Sequence, residues 1–228
     1  MEKLLLAVIV PAHNEEAHLD ACLAALRLAT ACPELHGEPV ALIVALDSCS
    51  DRSEAIALRH GAEVIAVQAR NVGAARAAGA MRALSLGARW LAFTDADTLV
   101  APDWLSTQLD LNCDAVCGTV AITDWGLHCE ATRRHHDALY TDADGHRHIH
   151  GANLAVSARA YVDAGGFPPL VSSEDVALVA ALQQRGARIA WSARPRVTTS
   201  ARRDHRAPAG FGATLLRMAH ELSRESAE

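Results

Sequence analysis

The feature that most constrains the fold of this chain is a regular alternation of short apolar runs with longer helical segments. Leu4 to Val10 is a continuous apolar run with β-branched members, which is typical of a central strand in a parallel sheet. The next segment has helical spacing in its apolar residues, Leu19, Cys22, Leu23 and Leu26. Further strands are predicted at Val40 to Leu46, Glu63 to Val67 and Trp90 to Phe93. The alternation predicts an α/β fold with a mostly parallel central sheet flanked by helices.

Capping residues predict where the first helices begin and end. Asn14 is predicted to cap the first helix, with Glu15 and Glu16 in its first turn. Gly61 is predicted to end the second helix. An alanine-rich third helix is predicted from Asn71 to Gly87.

The second half of the chain is less regular than the first. Strands are predicted at Asp114 to Ile122, at His146 to Ala155 with a break at Gly151, at Arg188 to Trp191 and at Val197 to Thr199. Helices are predicted at His128 to Tyr140, Glu174 to Arg185 and Phe211 to Arg224.

Length and composition exclude several classes of protein. A chain of 228 residues has room for one sizeable α/β core but not for two comfortable domains. A net charge of −6 argues against a general nucleic-acid binder, which would usually be basic. The apolar start lacks a small-residue cleavage site, and no run approaches the length of a transmembrane helix. The six cysteines form no CxxC pair, so we expect reduced thiols in a cytoplasmic protein.

The tetrapeptide TDAD occurs twice, and its first copy follows a predicted strand. In open α/β sheets, ligands bind at the carboxyl ends of the strands. Asp95 and Asp97 are two residues apart, so in an extended segment both face one side. Two like charges placed together are unfavourable without a cation, and oxygen ligands suit Mg²⁺ or Mn²⁺. The alternative for this copy is a helix cap before Pro102.

The second copy, Thr141 to Asp144, has a different context. Gly145 follows it, and an Asp-Gly pair is a strong turn signal, so we predict a solvated turn. His146, His148 and His150 alternate after the turn, a geometry that could bind a transition metal.

Five stretches, taken in order, carry a resemblance to a known family. They are VIVPAHNEE, ALDSCSDRS, ARNVGAARAAGA, FTDADTLVAPDWL and the pair GGFPP/SSEDVAL. Their order and spacing resemble the family 2 glycosyltransferases of the GT-A fold, from Val8 to about Trp191. The resemblance implies a single GT-A domain over residues 1–228, with a nucleotide-binding half at about 1–100 and an acceptor-binding and catalytic half at about 101–228. It also implies transfer of a sugar from a UDP- or GDP-linked donor, usually with inversion and with Mn²⁺ or Mg²⁺.

The resemblance implies a set of residues that contact the nucleotide sugar. They are Pro11, His13, Glu15, Asp47, Asn71, Arg76, Asp95 and Glu174. His13 stands where the family often has an aromatic residue, and Ser48 stands where a second acid is common. Free amides at a helix N-terminus and a flanking arginine independently favour phosphate. The alternatives are structural: Glu15 as a first-turn acid, Ser50 and Asp51 as a helix cap, and Gly79 as a close packing contact.

The resemblance also implies a metal site and a catalytic base. Asp97 is the stronger candidate for direct metal ligation, with Asp95 nearer the ribose or a metal-bound water. His205 is the candidate third ligand, and a solvated charge run is the alternative. Asp175 is the candidate general base that removes the proton of the acceptor hydroxyl. Glu174 and Asp175 could instead serve only as first-turn acids of a helix.

Other functions stay open at this point. A retaining glycosyltransferase and a non-catalytic relative that binds nucleotide sugars share the same motifs. A sugar nucleotidyltransferase is disfavoured, because PAHNEE has neither glycine nor a basic residue. Because the sequence shows neither membrane helices nor a QxxRW motif, we expect the transfer of one sugar per event to an unknown acceptor that is soluble or at a membrane surface. A homodimer is left open. We predict that His146, His148 and His150 line the acceptor side of the site or pack beneath it. Trp104 and Trp125 could each stack on a sugar ring or belong to the core.

Overall fold

The structure is a computed structural model of the chain and describes residues 5–201 and residue 217. Its strands are β1 (Leu5–Ala12), β2 (Val40–Asp47), β3 (Glu63–Val67), β4 (Ala88–Phe93), β5 (Thr98–Val100), β6 (Ala115–Gly118), β7 (Ala121–Ile122), β8 (Leu154–Ser157), β9 (Ile189–Ser192) and β10 (Val197–Thr199). Its α-helices are α1 (Leu19–Thr30), α2 (Ser53–Arg59), α3 (Val72–Ser85), α4 (Trp104–Asp110), α5 (Glu130–Leu139), α6 (Ala158–Asp163) and α7 (Glu174–Gln184). Short 3₁₀ turns lie at Pro33–Leu35 and Gly151–Asn153.

Seven strands form the main sheet, in the order β3-β2-β1-β4-β8-β6-β9. Neighbouring strands run parallel except at β8, which is antiparallel to both β4 and β6. The prediction of a mostly parallel sheet is confirmed. Because β8 runs against its neighbours, its start lies at the edge where β1 and β4 end, and this brings the Gly151–Asn153 turn to that edge.

Helices cover both faces of the sheet, which explains why β1 is apolar at every position. Val8 and Val10 pack on one face with α1, while Ala7 and Ile9 pack on the other with α3 and α7. The predicted apolar stripe of α1 is fully buried at Leu19, Cys22, Leu23 and Leu26.

Gly79 allows α3 to approach β1 closely. A Cβ at this position would meet the Cγ2 methyl of Ile9 well inside van der Waals distance. The packing alternative for Gly79 is therefore the correct one.

A smaller three-stranded sheet, β5-β10-β7, lies beside the main one, and Asn153 connects the two parts. Its Oδ1 accepts a hydrogen bond from Trp104 Nε1 at 2.9 Å. Its Nδ2 donates to the carbonyl oxygens of Thr119 at 2.8 Å and Pro195 at 3.0 Å. Trp104 is fully buried, so it belongs to the core and does not offer a face to a sugar ring.

The predicted start of α1 is wrong. The helix begins at Leu19, and Asn14, five residues earlier, adopts a left-handed conformation with φ 54°. The Asn14 side chain accepts a hydrogen bond from the backbone nitrogen of Ser50 at 2.8 Å. Asn14 therefore joins the loop after β1 to the loop after β2 instead of capping a helix.

Two predicted strands of the second half are also wrong in part. The stretch from Asp114 to Ile122 is divided between β6 and β7, which belong to different sheets. Residues 146–150 have no regular structure, and of the predicted His146 to Ala155 strand only Leu154 and Ala155 lie in a strand, β8, which continues to Ser157. The sequence analysis missed β5, α4 and α6. The predicted helix at Phe211 to Arg224 lies outside the continuous range that the structure describes, residues 5–201.

Two further expectations concern the whole chain. Within the described part of the chain, no helix combines the length and the apolar character that a membrane crossing requires. All six cysteines lie within residues 5–201, and all are free thiols.

Candidate functional site

Arg76 is the centre of a cluster at the edge where β1, β2 and β4 end. Its side chain is only 5% exposed, although it lies in the second turn of α3. Its Nη2 donates to Asp95 Oδ1 at 2.5 Å, and its Nη1 forms an ion pair with Glu174 Oε1. A Cβ at Gly151 would collide with the guanidinium group. We call Arg76, Asp95, Glu174 and Gly151 the Arg76 cluster; it joins α3, the loop after β4, the turn before β8 and the start of α7.

The charges of the cluster are strongly coupled. Burial alone would lower the pKa of Arg76, but the carboxylates of Asp95, Glu174 and Asp175 outweigh it and raise that pKa. Burial raises the pKa of Glu174 above its ordinary value, against the opposing influence of the Arg76 charge. A guanidinium held by several acids stays protonated, so Arg76 is a permanent buried cation here.

Asp175 lies beside the cluster but in a different environment from its neighbour Glu174. Its side chain is half-buried, whereas Glu174 is buried. Asp175 Oδ2 accepts a hydrogen bond from the backbone nitrogen of Gly151 at 2.9 Å, and Oδ1 accepts one from Val176 at 2.8 Å. The first turn of α7 therefore offers one acid to Arg76 and one to solvent.

Asp95 and Asp97 lie in the tight turn between β4 and β5. The backbone nitrogen of Thr98 donates to the carbonyl oxygen of Asp95 at 3.1 Å. The thiol of Cys22 donates to the same carbonyl oxygen at 3.4 Å. Burial, followed by the charges of Asp97 and Asp95, raises the pKa of the Cys22 thiol, which remains protonated as a donor.

The fit of this turn to a divalent cation depends on its two carboxylates. Among residues 5–201, no group of three or more His, Cys, Asp or Glu side chains is arranged to hold a metal ion. Mg²⁺ usually takes one or two protein carboxylates and completes its shell with water and substrate phosphates, so a pair of acids suits it. His205, the predicted third ligand, lies outside the described residues.

Asp47 has an anchoring role that the sequence analysis missed. Its Oδ1 accepts hydrogen bonds from the backbone nitrogens of Ala69 and Arg70 and from Ser48 Oγ, at 2.8, 2.9 and 3.0 Å. Its Oδ2 accepts from the backbone nitrogen of Asn71 at 2.6 Å. Burial would raise the pKa of Asp47, but the backbone donors outweigh it and hold that pKa below its ordinary value. Asp47 thus shapes the loop that leads into α3.

Asn71 fixes the start of α3 and connects it to the loop before α7. Its Oδ1 caps the helix by accepting from the backbone nitrogen of Ala74 at 2.8 Å. Its Nδ2 donates to the carbonyl oxygen of Leu170 at 2.6 Å.

The loop after β1 packs against the loop after β2. His13 Nδ1 lies 2.6 Å from the carbonyl oxygen of Asp47, so this nitrogen carries the proton and Nε2 is left as an acceptor in the neutral ring. Glu15 is buried and donates from its backbone nitrogen to Ser53 Oγ at 3.0 Å. Asp51 Oδ1 accepts from the backbone nitrogen of Ser53 at 3.0 Å, but the N-cap of α2 is Arg52 and no side chain caps it, so the capping alternative for Ser50 and Asp51 is wrong.

The second TDAD copy forms the predicted turn, but its acids are anchors and not simply solvated. Asp142 accepts from Thr119 Oγ1 at 2.6 Å and forms an ion pair with Arg196. Asp144 accepts from Ser192 Oγ at 2.7 Å and from the backbone nitrogen of Ala193 at 2.8 Å. The sequence carries no local sign of these partners, which lie more than twenty residues away.

Beyond that turn, the three alternating histidines stack with the aromatic ring of Tyr140. The Tyr140 and His148 rings are stacked, with centroids 4.1 Å apart and nearly parallel planes. The rings of His150 and His146 both stack on that of His148. The Tyr140 hydroxyl accepts from the backbone nitrogen of Val120 at 2.7 Å and lies 3.0 Å from His150 Nε2. Burial, followed by its histidine neighbours, lowers the pKa of His150 to about 3, so the ring is neutral.

The structure thus brings together many of the residues that the motifs predicted. Asp95, Arg76 and Glu174 are in direct contact, and Asp175 joins them through Gly151. His13, Asp47 and Asn71 form a second group, which holds the loops after β1 and β2 and the start of α3. Pro11 is buried within β1, paired with Ala45. Gly151 itself was missed, although a glycine inside a predicted strand signals a close backbone approach.

Comparison with known proteins agrees with this architecture. The family model described as glycosyl transferase family 2 matches residues 7–153, more than half of the chain. The sequence has no significant match among curated proteins.

Several solved structures share the fold at low sequence identity. S. aureus TarS in complex with UDP-GlcNAc has a TM-score of 0.67 and 14% identity, over 95% of this chain and 65% of that one. The mannosyltransferase PcManGT from Pyrobaculum calidifontis, in complex with GDP-Man and Mn²⁺, has a TM-score of 0.64 and 18% identity, over 87% of this chain and 57% of that one.

Glucosyl-3-phosphoglycerate synthase from Mycobacterium tuberculosis, in complex with Mn²⁺, UDP and phosphoglyceric acid, has a TM-score of 0.58 and 17% identity, over 88% of this chain and 72% of that one. Against a longer TarS structure, the chain spans only 36% of the length of the relative. From the matched family model and the shared GT-A architecture, we conclude that this chain belongs to glycosyl transferase family 2.

Proposed function

We propose that this protein transfers a sugar from a nucleoside-diphosphate sugar to an acceptor hydroxyl, with inversion and with Asp175 as the general base. One observation carries the proposal: a half-buried carboxylate, Asp175, lies across Arg76 and Gly151 from the two acids of the β4–β5 turn. A base on one side of a donor site and a cation-binding pair on the other is an arrangement suited to inverting, cation-assisted sugar transfer.

The donor is a UDP- or GDP-linked sugar. The relatives TarS and PcManGT have structures with UDP-GlcNAc and GDP-Man, respectively. In this chain, the loop that Asp47 shapes and the start of α3 present a helix N-terminus, which attracts phosphate through its free amides and its dipole. The loops around His13 and Asp47 then lie on the side of the nucleoside.

A divalent cation, Mn²⁺ or Mg²⁺, would be held by Asp97 and Asp95, with donor phosphates completing its shell. When bound, it supplies Lewis-acid neutralisation of the charge that grows on the departing diphosphate. Structures of PcManGT and of the mycobacterial synthase contain Mn²⁺, which supports the same requirement here.

Asp175 performs the proton transfer. The acceptor oxygen attacks the anomeric carbon while the bond from that carbon to the diphosphate oxygen breaks, and its electron pair leaves with the nucleoside diphosphate. The acceptor proton moves to the Asp175 carboxylate. The hydrogen bond from the backbone nitrogen of Gly151 to Oδ2 holds the Asp175 carboxylate in one orientation.

Calorimetric titration with UDP and with GDP, each with and without Mn²⁺, tests the proposal. We expect one nucleotide to bind, and we expect EDTA and the Asp97→Ala substitution to abolish the metal-supported part of the affinity. Asp103→Ala is the matched control, because Asp103 is an exposed acid in the same loop region whose side chain does not cap α4. If the wild-type protein bound neither nucleotide under any metal, the proposed function would be wrong.

A further inference from the structure

We propose that Arg76 is a positioning residue that connects the cation-binding acid Asp95 to the base-carrying helix α7, and that it does not bind the donor phosphates directly. The inference rests on the proposed function and assigns Arg76 a different role from the direct contact with the nucleotide sugar that the sequence resemblance implied. It means that the donor side and the acceptor side of the site share one buried cation.

The first support is that each terminal nitrogen of Arg76 already pairs with a carboxylate. Nη2 is bound to Asp95 and Nη1 to Glu174, and the side chain is 5% exposed. A phosphate that displaced Glu174 from the guanidinium would leave that carboxylate, whose side chain is 5% exposed, buried and without its cation. Removing one partner of a buried ion pair is strongly unfavourable, so the arrangement resists such displacement.

The second support is the way in which Gly151 fits against the guanidinium. A Cβ at position 151 would overlap the terminal atoms of Arg76, so the absence of a side chain is what lets the two groups meet. The backbone nitrogen of the same residue donates to Asp175 Oδ2. A movement of Arg76 would therefore move Gly151 and, with it, the donor that orients the proposed base.

The third support is the match between the shape of the cation and its two partners. A guanidinium presents a rigid, planar set of donors and can hold two carboxylates on different elements at once, whereas an ammonium is a point charge. Asp95 follows β4 and Glu174 begins α7, so only a forked donor spans them without loss of one contact.

Nucleotide titration of variants tests this role, using whichever of UDP and GDP the wild-type protein binds. In Arg76→Met, we expect the gain in affinity that Mn²⁺ provides to fall about 10- to 100-fold, because Asp95 loses the group that orients it, while the metal-free affinity changes less than about twofold. Arg76→Lys retains the charge but not the fork and should fall between the wild type and Arg76→Met.

A double-substitution cycle with Asp95→Asn separates positioning from direct binding. If Arg76 acts through Asp95, the Arg76→Met/Asp95→Asn protein should bind nucleotide no more weakly than Asp95→Asn alone. The reason is that Arg76→Met then has no further effect once Asp95 is already substituted. Arg82→Met is the matched control, since Arg82 lies on the same helix and pairs with Glu63 at the surface. We expect it to bind nucleotide like the wild type.

Three results would overturn the inference. An equal fall in metal-free and metal-supported affinity would make Arg76 a phosphate ligand. Additive losses in the cycle would mean that Arg76 and Asp95 act separately. Binding of Arg76→Met that matches Arg82→Met would leave Arg76 with no role in the site.

Urea unfolding provides a readout that does not depend on nucleotide. Arg76→Met leaves Glu174 buried without its cation, so the Arg76→Met/Glu174→Gln protein should unfold at a higher urea concentration than Arg76→Met alone. Equal midpoints would contradict the link between α3 and α7. If the wild type bound neither nucleotide, the proposed function would fail, and this comparison would still decide whether Arg76 holds the two helices together.

Discussion

At the scale of single residues, the site depends on giving adjacent acids different surroundings. Glu174 and Asp175 are neighbours in the first turn of α7, and successive helical residues point about 100° apart. One side chain therefore turns inward to Arg76, while the other remains half-buried beside Gly151. A single helix start thus supplies both a structural counter-charge and a candidate base.

Asp175→Asn should lower turnover by roughly 10²- to 10⁴-fold, the usual contribution of a general base, because an amide cannot accept the acceptor proton. Nucleotide affinity should be unchanged, since the Asp175 carboxylate accepts its hydrogen bonds from the backbone nitrogens of Gly151 and Val176 and the substitution leaves Asp95 and Asp97 in place. The test compares calorimetric nucleotide binding with turnover on an acceptor found by screening.

The outcome of that substitution also separates two mechanisms. A near-normal rate for Asp175→Asn would contradict its role as base and point to a retaining enzyme. Nuclear magnetic resonance of the newly formed anomeric centre checks the configuration independently.

Motifs predicted which residues meet in the site but not how each one is used. The order of the five stretches identified Asp47, Arg76, Asp95 and Asp175 without any structure. The partners of Asp47 are backbone amides 22 to 24 residues away, and such bonds leave no pattern in the side-chain sequence. The resemblance implied a direct contact of Arg76 with the nucleotide sugar, but the burial of Arg76 depends on α7, nearly 100 residues later.

At the scale of the element, the start of α3 is the part most closely linked to the site. Asn71→Ala removes the cap on Ala74 and the bond to the loop before α7. We expect a loss of about 1 kcal/mol in the free energy of unfolding, typical of a lost cap, together with weaker nucleotide binding. Urea unfolding and nucleotide titration check the two effects.

Ser157→Ala is the matched control, because Ser157 caps α6 by the same kind of bond to Ala160. It should cost a similar free energy of unfolding and leave nucleotide affinity intact. Equal nucleotide affinity in the two variants would contradict a role for Asn71 in the site.

The contact between α3 and β1 gives a second prediction at this scale. Gly79→Ala adds a methyl group directly against Ile9, so the helix or the side chain must shift. We expect destabilisation of about 1 to 3 kcal/mol from overpacking, partly offset by the better helix propensity of alanine. Chemical unfolding measures this destabilisation. Gly79→Ala should cost less in a chain that also carries Ile9→Ala, because that substitution removes the Ile9 atoms with which the new methyl group clashes.

Elements were predictable where one local signal was enough. Glu63–Val67 and Val197–Thr199 have the predicted bounds, since apolar runs ended by polar or turn residues identify strands. The failures share a non-local cause. The Asp114 to Ile122 stretch is divided because Gly118 packs against Asn153 and the chain then joins β10, which lies more than seventy residues later. The short helices α4 and α6 have seven and six residues, too few for helical periodicity to stand out.

At the scale of the whole molecule, the histidine and tyrosine stack should make stability depend on pH. The pKa of His150 is lowered to about 3 in the folded protein, well below the ordinary value of about 6.5. As pH falls below about 6.5, the unfolded state takes up a proton that the folded state refuses, so the free energy of unfolding decreases. The neutral ring therefore contributes its full stability above that pH and loses it progressively toward pH 3.

We expect a loss of roughly 1 to 2 kcal/mol between about pH 7.5 and about pH 5, a range in which ordinary carboxylates stay ionised. Urea unfolding across this range measures the loss. His150→Gln removes the titrating ring and should make the free energy of unfolding depend less on pH. Part of the dependence should remain, because the pKa of the neighbouring His148 is also lowered. An unchanged slope in His150→Gln would contradict the assignment.

The hydrogen bonds between Thr119 and Asp142 and between Val120 and Tyr140 close the base of the segment 121–139. These two bonds hold the beginning and the end of the segment together, so the strand order of the main sheet does not depend on the length of the segment. Each doubling of such a loop costs only about 0.6 kcal/mol in closure entropy. Evolution, or a laboratory chimera, can therefore exchange the part of this segment that follows β7 as a cassette, while the main sheet and the Arg76 cluster are inherited intact.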